Sequence, residues 1–82
     1  MILVDIYVPS VDKVYDFQLN ENTSISTVID ELSEMVGQKE RSPLYGSSSE
    51  LILCDKSSGQ IIHRNGTLSS SGITTGSTLI LV

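Results

Sequence analysis

The chain is poor in several residue types, and each shortage excludes something. There is no alanine and no tryptophan, and there is a single cysteine. One cysteine cannot form an internal disulfide, so the stability of the domain cannot rest on one. Only five residues are basic against ten acidic, a net charge of −5. The basic residues Lys13, Lys39, Arg41, Lys56 and Arg64 are scattered, and Glu40 splits the nearest pair. A nucleic-acid surface needs a basic stripe to displace counterions from phosphates, so no nucleic-acid partner is expected. No apolar run approaches the roughly 20 residues a bilayer requires, which argues against direct membrane insertion. Met1 leads straight into Ile2-Leu3-Val4-Asp5 with no basic segment before an apolar run, so a cytoplasmic location is expected.

What is present fits one small globular unit spanning residues 1–82. The mean hydropathy of +0.10 and 39% hydrophobic content are those of neither a disordered tail nor a membrane span. A domain near this size buries only roughly 60% of its unfolded surface, so its core is thin. The sequons Asn22-Thr23-Ser24 and Asn65-Gly66-Thr67 read as cap and turn chemistry.

Ile2, Val4, Ile6 and Val8 alternate with Leu3, Asp5 and Tyr7, the period of a strand with one buried face. Pro9-Ser10-Val11-Asp12 turns the chain, and Tyr15, Phe17 and Leu19 alternate in a second strand over Lys13–Leu19, completing a hairpin. The period then changes. Ser24 is a good N-cap, and Ile25, Val28, Ile29, Leu32, Met35 and Val36 form one helical stripe, with Asp30, Glu31 and Glu34 on the solvated side. The helix is expected to run about twelve residues and stop at Gly37. Gln38 to Glu50, with Pro43, Gly46 and three consecutive serines, reads as a loop. Leu51–Cys54 and Gln60–His63 are two short strands, Thr67–Gly72 suits a single 3₁₀ turn, and Thr78–Val82 is the closing strand. The order β, β, α, β, β, 3₁₀ turn, β predicts an α+β domain, a mixed sheet with one helix packed across it.

This order, with these residues, resembles the ubiquitin-like β-grasp fold. Thr67-Leu68-Ser69-x-x-x-Ile73-x-x-x-Ser77-Thr78-Leu79-x-Leu81-Val82 is similar to the last third of ubiquitin, and Ser24-Ile25-x-x-Val28 is similar to the start of its helix. Leu68-Ser69-x-x-Gly72-Ile73-Thr74-x-Gly76-x-x-Leu79 resembles the carboxy-terminal pattern of the bacterial YukD/EsaB proteins, as does Leu53-Cys54-Asp55-Lys56. That resemblance implies a non-catalytic regulatory accessory of a type VII secretion system. An alternative it leaves open is an excised docking or dimerisation domain of a larger EccD-like membrane protein. The sequence closes on Leu81-Val82 where ubiquitin and the sulfur carriers have Gly-Gly, so conjugation or sulfur carriage would require a longer native tail.

The residues themselves carry no evident catalytic constellation. Cys54 continues an apolar strand, where a buried inert thiol is expected, and His63, the only histidine, reads as a surface residue. One cysteine and one histidine fall short of a metal site, and Gly72-x-x-x-Gly76 lacks the Lys-Ser/Thr of a phosphate loop. The expectation is a non-enzyme that needs no cofactor. What remains is a contact surface. The ubiquitin-like resemblance implies that Leu51, Leu53, Leu79 and Leu81 face inward, so that Ile52, Ile80 and Val82 face outward together and coincide with the apolar sheet patch that meets protein partners. Such a patch could receive a secretion component or a second copy of the chain in symmetric sheet-face packing.

Overall fold

The computed structural model describes residues 1–41 and 50–82. Strands β1 (Ile2–Val8) and β2 (Lys13–Leu19) pair antiparallel in the register Val4 to Phe17 and Ile6 to Tyr15. The turn between them places Asp12 in the left-handed region at φ 51°, where a short polar side chain is among the better tolerated. Helix α1 spans Ile25–Glu40, followed by β3 (Leu53–Asp55) and β4 (Thr78–Leu81). The sheet order is β2-β1-β4-β3, with β1 and β4 parallel and the other neighbours antiparallel. The mixed sheet with one helix packed across it is the β-grasp arrangement that the ubiquitin-like resemblance implies.

One apolar layer joins helix and sheet. Val4, Ile6, Val8, Phe17 and Leu19 share one core with Ile25, Val28, Ile29, Leu32 and Val36, and Leu53, Leu79 and Leu81 of β3 and β4 continue it on the same face of the sheet. Each such side chain contributes on the order of 1.5–3 kcal/mol on burial, so this layer dominates the stability of a small domain. Ser24 caps the helix as expected: its backbone is extended and its Oγ accepts the Thr27 amide at 3.4 Å.

The helix departs from expectation at its other end. It passes through Gly37 and runs to Glu40, and the left-handed cap falls on Arg41 (φ 56°), whose amide donates to the Gln38 and Gly37 carbonyls. The cause is tertiary. Glu40 accepts from Lys13 Nζ at 3.0 Å and from the Tyr15 hydroxyl, so β2 holds the last helical turn in place. A glycine stops a helix only where the chain gains by leaving it, and here this anchor favours another turn. Gln38–Glu40 are therefore helical and not loop, while residues 42–49 of the expected loop lie outside the described residues.

The second half is less regular than the expected short strands implied. Gln60–His63 is not a strand; it meets the sheet through one isolated bridge, Cys54 to Ile61. Asp55 explains this. Its carboxylate takes the Ser57 amide and the Ser58 hydroxyl, and its carbonyl takes the Gly59 amide, which curls the chain away before a ladder can grow. Only Ile62 returns to the core, its amide on the Leu53 carbonyl at 2.8 Å. The assigned strand β3 begins at Leu53 and not Leu51, although Ile52 and Val82 still exchange both backbone hydrogen bonds, at 2.6 and 2.9 Å. Thr67–Gly72 is a turn carrying 3₁₀-type bonds, Ser71 to Leu68 and Gly72 to Ser69. Gly72 and Gly76 sit at φ +77° and +93°, a region in which any side chain would be strained.

Candidate functional site

The residues that do not face the helix form the outer side of the sheet, and the strand registers place them in rows. One row runs across all four strands: Val14 lies opposite Tyr7, Tyr7 opposite Ile80, and Ile80 opposite Cys54. The bridge to Ile61 extends it by one more apolar residue. On one side of this row, Ile52 and Val82 form a hydrogen-bonded cross-strand pair. On the other, Asp16 lies opposite Asp5, and Asp5 opposite Thr78.

The three expected patch residues are thus neighbours on one face. Ile52 is 40% exposed and Val82 48%, while Ile80 is half-buried between Tyr7 and Cys54. Reading from the sequence missed the rest of the row. Val14 (59% exposed) and Ile61 (58%) are more open than any of the three, and Tyr7 and Cys54 fill the middle. Alternation within the hairpin already assigns Tyr7 and Val14 to the outer face; no local pattern marks Ile61, because its bridge spans an irregular turn. Cys54 corrects an expectation. It is half-buried on the outer face, since the core positions of this segment fall to Leu51 and Leu53.

The polar groups around the row are specific. Tyr7 donates its hydroxyl to Asp12 Oδ1 at 3.0 Å, and that bond to a carboxylate raises its pKa. Hydrogen bonding to the Asp16 carboxyl, together with repulsion from its charge, holds Asp5 above the usual carboxylate range. Like charges directly opposite on neighbouring strands disfavour the sheet. Lys56 terminates the same row: its amide donates to the Thr78 carbonyl at 3.0 Å, which puts it across Thr78 from Asp5.

A second ionisable cluster lies at the end of α1, away from this face. Lys13, Tyr15 and Glu40 bond together there, and Lys39 Nζ sits 5.8 Å from the centre of the Tyr15 ring. Donation to Glu40 pushes the Tyr15 phenol up to about 12, and the same bond, with Lys13, lowers Glu40. Each member is satisfied by another, so the cluster acts as a structural clamp.

His63 is exposed, as expected, beyond the bridge that ties Ile61 to Cys54. Among the described residues no group of three or more His, Cys, Asp or Glu side chains could hold a metal ion. No helix among them is long and apolar enough to cross a membrane.

No family model matches the chain, and no curated protein matches it. Solved structures do. The ubiquitin-like domain of EccD5 from Mycobacterium xenopi superposes with a TM-score of 0.80 at 25% identity, covering 99% of this chain and 91% of that one. The N-terminal ubiquitin-like domain of the 4931431F19Rik protein gives 0.77 at 25% identity, covering 99% and 72%. A structure of ATBAG1 in complex with HSP70 gives 0.76 at 17% identity over 100% of this chain and 40% of that one, a likeness of fold alone. The chain has the ubiquitin-like β-grasp fold, and it is similar to the EccD5 domain over nearly the whole of both chains.

Proposed function

We propose that this chain is the docking domain of an EccD-like membrane component of a type VII secretion system, working on the cytoplasmic side through its outer sheet face. The observation that carries the reading is the likeness to the EccD5 domain, which spans nearly the whole of both chains. The exposed pair Ile52 and Val82, with Ile80 beside them, supplies the contact surface. An apolar patch of this kind on a surface of net charge −5 desolvates at low cost when a partner covers it.

A free-standing accessory of the YukD/EsaB kind would use the same face. The glycine pattern that resembles that family has a sufficient backbone cause, since Gly72 and Gly76 occupy the left-handed region that their turns require. That pattern therefore adds little weight beyond the fold, and the EccD-like reading leads.

The test is site-specific photocrosslinking from position 52 or 82 in cells carrying the secretion system, followed by mass spectrometry of the membrane fraction. Crosslinks to a component of the secretion machine are expected, and they should vanish when the partner position carries Glu (Ile52→Glu or Val82→Glu). Crosslinks that persist in a folded protein carrying Glu at the partner position would remove the patch from the mechanism.

A further inference from the structure

The outer face is divided by charge as well as by polarity, and the division says something about what lies against it. The apolar row from Val14 to Ile61 runs beside a second row in which Asp16 and Asp5 lie directly opposite each other. The positive charge on that second row is Lys56, which stands at its far end with Thr78 between it and Asp5. Lys13 belongs to the helix-end clamp with Glu40. Asp12, at the hairpin turn, accepts from Tyr7 and adds a further carboxylate to the same side of the sheet. An apolar ridge laid on the first row must therefore pass along a pair of carboxylates that repel each other.

We infer that the partner of this face is a protein segment with an apolar ridge flanked by an arginine or lysine, the basic side chain seated on the Asp5–Asp16 pair. The inference rests on the reading of the outer sheet face as the contact surface, and it adds the chemistry of the partner. A guanidinium can donate to both carboxylates at once through its planar fork, which converts a repulsive cross-strand pair into two charge-assisted hydrogen bonds. The raised Asp5 carboxyl agrees with this, because a cation placed there would find a charge that the free domain holds at a cost. The same charges exclude a second copy. Face-to-face packing of two identical domains, each of net charge −5, would bring carboxylate rows together where complementarity is needed.

The test uses two synthetic 18-residue amphipathic helical peptides with identical leucine faces, one flanked by arginine and its twin by glutamate. Binding is followed by amide chemical-shift mapping and titration calorimetry. The arginine peptide should bind, with shifts confined to outer-face residues of the four strands and to Ile52, Ile61 and Val82, and the glutamate twin should not. Asp5→Asn with Asp16→Asn, close to isosteric, should weaken the arginine peptide by about tenfold or more, the scale of a charged hydrogen bond lost. The Asp5 carboxyl resonance of the wild type should titrate at lower pH when the arginine peptide is bound. Failure of the arginine peptide to bind, equal binding of the twin, or unchanged affinity in the Asn variant overturns the basic-partner inference. If Ile52→Glu with Val82→Glu still abolishes binding of both peptides, the contact surface itself survives that result. A complex sensitive to the Asn changes and indifferent to the Glu changes overturns the contact-surface reading instead. Dimers in sedimentation equilibrium that dissociate on Ile52→Glu with Val82→Glu would show that a second copy fills the face, and would also overturn the inference.

Discussion

The two faces of this sheet are made by alternate residues of the same strands, yet they follow opposite rules. On the inner face Val4, Ile6, Val8, Leu79 and Leu81 are essentially removed from water and belong to one core with the buried helix residues. On the outer face the interleaved positions include two facing aspartates, a half-buried tyrosine and cysteine, and well-exposed aliphatic residues. The inner face satisfies one requirement, close packing. The outer face carries a pairing that opposes folding, Asp5 against Asp16, and aliphatic surface that gains nothing in the isolated domain. Such features are understood only in relation to something outside the domain, so the contrast locates function by subtracting stability.

That contrast can be broken most forcefully from the inside. Leu53→Ala, at a fully buried position beneath the helix layer, should cost about 2–5 kcal/mol, read as a fall in the urea midpoint. For a domain this small, such a loss approaches the whole of its stability. On the outer face, the double change Ile52→Glu with Val82→Glu should leave the circular dichroism spectrum unchanged and shift the midpoint far less than Leu53→Ala. If the two variants proved equally damaging, the distinction between the faces would collapse.

The clamp at the helix end should give an intermediate effect with a pH signature. Glu40 has a lowered folded pKa, so its contribution is present above the unfolded value near 4.5 and is lost as pH falls through the folded one. Tyr15 is raised from 10.0 to about 12, so its contribution is complete below pH 10 and is lost as pH rises toward 12. Tyr15→Phe should therefore reduce the alkaline decline in thermal stability, to which Tyr7 also contributes, and blunt the acid one. It should also fray the last turn, raising amide exchange at Gln38 and Lys39. A Phe variant with wild-type pH curves would mean that β2 does not anchor the helix.

Asp5 should give the smallest effect, of opposite sign. Its folded pKa is raised, so the native state binds more protons than the unfolded one and stability declines as pH rises through the folded value. Asp5→Asn should thus be neutral to slightly stabilising at neutral pH while impairing partner binding. Destabilisation by Asp5→Asn would show that the pair is structural.

Local periodicity carried the reading of the sequence wherever elements are regular. The period-two alternation of Ile2–Val8 and the 3.6-residue stripe from Ile25 to Val36 each report burial on one side, and both elements stand where that pattern put them. It failed where a contact from far away decides the outcome. Gly37 carries a stop signal that Lys13 and Tyr15, both on β2, override through Glu40. Gln60–His63 reads as a short strand, but the Asp55 side chain bends the backbone before it. Ile52 and Val82 were legible as outward-facing from their buried neighbours, whereas Ile61 joins the outer row only through its bridge to Cys54. The aspartate pair was invisible in one dimension, because Asp5 and Asp16 become neighbours only once the hairpin register is known.

The sheet order has one more consequence, and it concerns biosynthesis. The parallel partner of β1, in the middle of the sheet, is β4, which is the last strand in the chain. The hairpin and helix can associate as soon as they leave the ribosome, but β1 keeps one edge open and the core lacks Leu79 and Leu81 until the final strand emerges. During that interval the nascent chain displays an unpaired strand edge beside an incomplete apolar layer, the combination that chaperones recognise and that aggregation exploits. Ribosome-stalled chains halted before residue 78 should therefore be protease-sensitive, and release of the closing segment should confer resistance in one step.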